Sequence, residues 1–119
     1  PILFMSWPYK NKPEMQEMLE KEFFKASKLN NLRLIPAGQA FLYINKNFPN
    51  INLYTEDLRH PSKEGTYLAA LMVFTSLSNK SPIGNTFTMG LDPEVAEILQ
   101  KVAWKTYENF QIRVMNSDL

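Results

Sequence analysis

Cysteine is absent from the 119 residues, and histidine occurs once. Without thiols the chain forms no disulfide, runs no thiol chemistry and holds no cysteine-based structural zinc. The compartment stays open, since many secreted proteins also lack cysteine. A single imidazole argues against a histidine-rich metal site. No apolar run approaches the roughly 20 residues that span a bilayer. Thirteen Lys and Arg are interleaved with twelve Asp and Glu, for a net charge of +1. Nucleic acid and anionic membranes call for clustered basic residues, and none are clustered here. A glycine-rich phosphate loop is also missing, which weakens any reading as a nucleotide-binding domain.

What is present is an ordinary globular composition, 45% apolar and 21% charged. The length suits one small domain with one core, not two. The apolar run ILFM at residues 2–5 has the pattern of a strand buried on both faces, as in a parallel sheet. From Pro13 to about Leu29, the apolar residues Met15, Met18, Leu19, Phe23 and Ala26 recur at helical spacing, and proline suits the first turn. LRLI at 32–35 reads as a second strand, stopped by Pro36 and Gly38. Strand, helix and strand make one βαβ unit, whose strands should be parallel.

Residues 39–48 are expected to form a short helix, and Leu53 and Tyr54 to anchor the loop that follows. Ser62 is an N-cap for a helix over about Lys63 to Leu77. The apolar residues of that segment cover most of its circumference, which predicts a largely buried helix. Residues 79–90 are rich in turn formers. Asp92-Pro93 then opens a last helix with Val95, Ile98, Leu99, Val102 and Thr106 on one face. Residues 111–119 carry no clear pattern. Two strands are too few for a sheet with helices on both sides, and the chain opens on Pro1 without an initiator Met. We therefore expect the C-terminal half of a larger domain, with further strands preceding Pro1.

The sole histidine, His60, lies three residues after Asp57, ahead of Pro61 and the buried helix. A neutral imidazole can take a proton from a serine hydroxyl and return it, and a carboxylate on its other ring nitrogen fixes the tautomer. Asp-x-x-His alone is a weak signal, equally at home in a solvated turn. Its place after a parallel βαβ unit, where α/β enzymes carry catalytic groups, strengthens it.

The block DLRHPSKEGTYLAALMVF resembles the last conserved block of the SGNH (GDSL-like) hydrolases. FMSWPY, IPAGQAF and SPIGNTF extend the resemblance over nearly the whole chain, closest to a little-characterised bacterial branch. It implies an α/β fold: the C-terminal half of a flavodoxin-like, three-layer α/β/α domain with parallel strands and flanking helices. It also implies a serine ester hydrolase acting on acyl or acetyl esters, carbohydrate esters among them, without metal or cofactor. Asp57 would be the orienting acid and His60 the general base. Trp7, Gln39 and Phe41 at strand ends would line the substrate pocket, although an aromatic or amide capping the core reads equally well there. A secreted or periplasmic home is implied by the family alone.

The chain departs from the family in lacking both the Gly-Asp-Ser block that bears the nucleophile and the Gly-x-Asn-Asp block of the oxyanion hole. Ser62 reads as a helix cap, Ser6 as a strand end, and Ser76, Ser78 and Ser81 as a helix exit. The nucleophile would then come from an N-terminal piece or from another chain. A half-domain of this kind should self-associate through its exposed sheet edge or pair with such a piece. The alternative is a noncatalytic interaction or glycan-binding module, using the sheet edge or Trp7 and Tyr9.

Overall fold

Strand β1 (Ile2–Phe4) pairs in parallel with β2 (Arg33–Ile35), Ile2 opposite Arg33 and Phe4 opposite Ile35. The computed structural model describes residues 1–116, in which this two-stranded sheet is joined by four helices in a mixed α/β domain. The helices are α1 (Met15–Asn30), α2 (Ala37–Asn47), α3 (Lys63–Ser78) and α4 (Pro93–Met115). Residues 117–119, the end of the stretch without a clear pattern, lie outside the described residues. The rest of that stretch continues α4 to Met115.

Local chemistry sets most of the helix ends. Asn31 closes α1 in the left-handed region, and the Leu32 N–H donates to the Ser27 carbonyl at 2.9 Å. Ser62 accepts the Gly65 N–H at 3.1 Å to start α3. Asp92 accepts the Glu94 and Val95 N–H groups at 2.9 and 3.4 Å, with Pro93 as the first helical residue. Helix α2 begins two residues earlier than the pattern suggests, because Gly38 sits directly against the segment that follows β1. Its N–H donates to the Met5 carbonyl at 3.0 Å, and a Cβ there would stand 2.2 Å from the Ser6 carbonyl oxygen.

The core lies among α2, α3 and α4, with the sheet along its flank. Phe41, Ile44, Leu53, Leu68, Met72 and Leu99 have no exposed surface. Burying each such side chain contributes on the order of 1.5–3 kcal/mol. Strand β2 packs against α1 and α3. Arg33 and Ile35 share one face of it; the Arg33 guanidinium bonds the Ser76 carbonyl of α3, and Ile35 enters the core.

Two expectations about burial change. Helix α3 is not covered all round: Leu68, Leu71, Met72 and Thr75 are buried, while Ala70, Phe74 and Leu77 face solvent. The exposed residues stand at i, i+4 and i+7, a single stripe along the flank turned away from α2, α4 and β2. On α1, Met18 is exposed and the polar Gln16 is buried in its place, donating to Glu20 at 3.3 Å.

Candidate active site

The Asp57–His60 turn is built by two short arms that pair with each other. Tyr54 and Pro61 form an antiparallel bridge. The Thr55 N–H donates to the His60 carbonyl and the Ser62 N–H to the Leu53 carbonyl, both at 2.8 Å. Leu53 and Tyr54 root the arms in the core. The Tyr54 hydroxyl donates to the Pro8 carbonyl at 2.8 Å and accepts from Asn45 Nδ2 at 3.0 Å. Burial pushes that phenol up from its ordinary pKa, with the Asn45 bond opposing. Leu58, at the tip, takes a left-handed conformation with φ 63°, which is unfavourable for a side chain of its size.

Asp57 organises the tip. Its Oδ1 accepts from the Thr55 hydroxyl and from the Arg59 and His60 N–H groups, each at 2.9 Å. This is the pattern by which an Asp side chain caps its own turn. Its Oδ2 is bonded to His60 Nδ1. The His60 ring bond, followed by the His60 and Arg59 N–H groups and the Thr55 hydroxyl, holds the carboxyl well below the usual carboxylate range. An ionised carboxylate only accepts, so in the neutral ring the proton sits on Nδ1, and Nε2 then offers its lone pair as a base. No other described residue bonds Nε2. The His60 side chain is 78% exposed and that of Asp57 45%, so the base points into open solvent.

The segment that follows β1 lies against this turn. The Lys10 N–H donates to the Leu58 carbonyl at 2.9 Å. The Trp7 indole N–H donates to the Arg59 carbonyl at 2.9 Å, and the Arg59 guanidinium sits 4.7 Å over the Tyr9 ring. The turn therefore stands at the C-terminal end of the sheet, the usual place for ligand chemistry in α/β folds.

The other three candidates separate. Trp7 adjoins the turn. Phe41 lies beneath Trp7, stacked at 4.3 Å and 7° and wholly buried, with its edge toward Tyr54. Gln39 faces α1, where its Nε2 donates to Glu20 at 3.1 Å; it is not joined to the Asp57–His60 turn. Thr55 was missed in the sequence reading, although a hydroxyl two residues before a turn Asp is a legible signal. Arg59 and Lys10 were missed because their partners lie far along the chain.

Of the described serines, Ser62, Ser27 and Ser78 donate to the carbonyls of Asn52, Leu32 and Phe74. Ser81 accepts from Ile83, and Ser76 Oγ is buried without a partner. None of them, nor Ser6, bonds His60. Among the described residues no cluster of three or more His, Cys, Asp or Glu is placed to hold a metal ion. Among the described residues no helix is long and apolar enough to cross a membrane. Comparisons with protein-family models, with curated proteins and with solved structures found no match.

Proposed function

We propose that the chain supplies the acid–base half of a serine ester hydrolase of the SGNH type, acting on acyl or acetyl esters, including those of carbohydrates. The observation that carries this reading is His60 held through Nδ1 by an ionised Asp57, with Nε2 open. In the proposed reaction His60 Nε2 takes the proton of a serine hydroxyl as its oxygen attacks the ester carbonyl. The same proton passes to the alkoxide as the C–O bond to the alcohol breaks. Water then repeats the cycle on the acyl-serine and releases the acid. Asp57 stays ionised throughout and stabilises the imidazolium.

The serine is delivered by a segment or chain beyond the described residues, on a flavodoxin-like three-layer sheet of which β1 and β2 form one side. Two separate observations support that larger architecture: the uncovered stripe Ala70, Phe74 and Leu77 on the outer flank of α3, and a sheet of two strands among the described residues. The test is p-nitrophenyl acetate hydrolysis by the chain alone and by a version extended upstream to its natural start, each with and without His60→Ala. Turnover confined to the extended protein and lost with His60→Ala supports the reading. Turnover unaffected by His60→Ala sinks it.

A second reading keeps the fold without the chemistry. The bonded or buried serines, together with the open sheet edge, favour a noncatalytic interaction module. No turnover in either version, with the fold intact, would select it.

A further inference from the structure

The geometry points to Trp7 as a positioning residue for His60, which deepens the hydrolase reading and rests on it. The turn that carries the base has an internal weakness. Leu58 is in the left-handed region, and the two peptide groups after it decide where the imidazole points. Asp57 collects the N–H groups of Arg59 and His60 from inside the turn. The carbonyls on the same stretch are claimed from outside. That of Leu58 is bonded by the Lys10 main chain, and that of Arg59 by the indole N–H of Trp7 at 2.9 Å. Among the described residues, Trp7 is the one side chain outside the turn that donates to its backbone.

Trp7 is itself fixed. Its ring lies parallel to the buried Phe41 at 4.3 Å and perpendicular to Phe4, at 6.0 Å and 88°. Two aromatic contacts restrain the indole and hold its N–H in one direction, so the Arg59 carbonyl has a fixed target. The peptide that precedes His60 is then held in one orientation, and with it the ring that faces Asp57 Oδ2. The cation–π contact of Arg59 with Tyr9 adds a weaker tie on the same residue. Trp7 thus acts on the base through the backbone, and its aromatic face is engaged by Phe41, not by substrate.

Trp7→Phe separates these roles, because phenylalanine keeps a ring on Phe41 and loses the N–H. Loss of one hydrogen bond of about 1 kcal/mol shifts the equilibrium constant between the Asp57-bonded His60 ring and its other arrangements about fivefold. Nitrogen-15 spectra of His60 in the whole chain read this directly. The wild type should show a protonated Nδ1 and an unprotonated Nε2, and Trp7→Phe a mixture of tautomers. Diethyl pyrocarbonate gives the kinetic readout: it transfers an ethoxycarbonyl group to Nε2 and releases ethanol and carbon dioxide. Its rate on the only histidine should fall several-fold.

Unchanged His60 signals and an unchanged rate overturn the proposal, even if the variant melts earlier. Should Trp7→Phe fail to fold, benzothienylalanine at position 7 replaces the N–H by sulfur at nearly constant size, and the same criteria apply. In the active protein a positioning role lowers kcat with KM unchanged; a raised KM with unchanged kcat means that Trp7 touches substrate, and overturns the proposal. The hydrolase reading fails separately, on His60→Ala, and the spectra judge Trp7 without reference to turnover.

Discussion

Gly65, in the first turn of α3, passes so close to Leu53 that a Cβ on it would stand 2.2 Å from the Leu53 carbonyl oxygen. The same carbonyl accepts the Ser62 N–H at 2.8 Å. The helix start, the arm that roots the Asp57–His60 turn and the turn itself are therefore locked at one point. Glycine inside a helix usually costs about 1 kcal/mol relative to alanine. Here the sign should invert. Gly65→Ala should destabilise the chain by about 1–3 kcal/mol, read as a lower urea midpoint at unchanged slope, and should broaden the His60 signals as the turn shifts. A stabilised Gly65→Ala variant would mean that α3 and Leu53 stand farther apart in solution.

Asp57 gives the turn a pH dependence of definite sign. Its carboxyl binds protons less readily in the folded chain than in the unfolded one, so the unfolded state takes up more protons as acid is added. The stabilisation is complete above the ordinary carboxylate value of about 3.9 and is lost as pH falls through the depressed folded value. The group is exposed, so the effect is small and best seen as a difference. Between pH 5 and pH 3 the urea midpoint of wild type should fall more than that of Asp57→Asn, which keeps an acceptor for the turn but cannot titrate. Equal losses in the two proteins would remove the charge of Asp57 from the account.

Tyr54 ties the turn to the segment after β1. Tyr54→Phe keeps the buried ring but leaves the Pro8 carbonyl and Asn45 Nδ2 without their partner. A cost of about 1–3 kcal/mol is expected from the stranded polar groups. Denaturant titration measures it, and a neutral result would show that water replaces the hydroxyl there.

How much of this the sequence disclosed follows the range of the interaction. The Ser62 and Asp92 caps span two or three residues, and spacing sufficed to place them; the Asp57–His60 bond is as short in sequence, but its spacing alone left a solvated turn equally open. The parallel pairing of β1 and β2 followed from the intervening helix. The early start of α2 escaped notice because it depends on Gly38 meeting Ser6 across the fold. Trp7 and Arg59 are 52 residues apart, and no pattern in either neighbourhood marks the pair. Gln39 and Phe41 looked alike from their place after β2; the fold sends one to Glu20 and the other under Trp7. The apolar run of α3 could not reveal which flank is covered, since hydrophobicity all round leaves the facing direction undetermined.

That flank yields the last prediction. Leu68 and Leu77 are both leucines of α3, one wholly buried and the other 54% exposed. Leu68→Ala should cost about 2–5 kcal/mol, the range for emptying a packed leucine site. Leu77→Ala, with little to lose by contact, should stay within about 0.5 kcal/mol of wild type, as surface changes do. Thermal or urea unfolding of both variants at several protein concentrations distinguishes the cases. A large loss at Leu77 that grows with concentration would mean that the stripe is covered by another molecule in solution. The exposed face of α3 would then be an interface rather than a surface, and the two-stranded sheet part of a larger assembly.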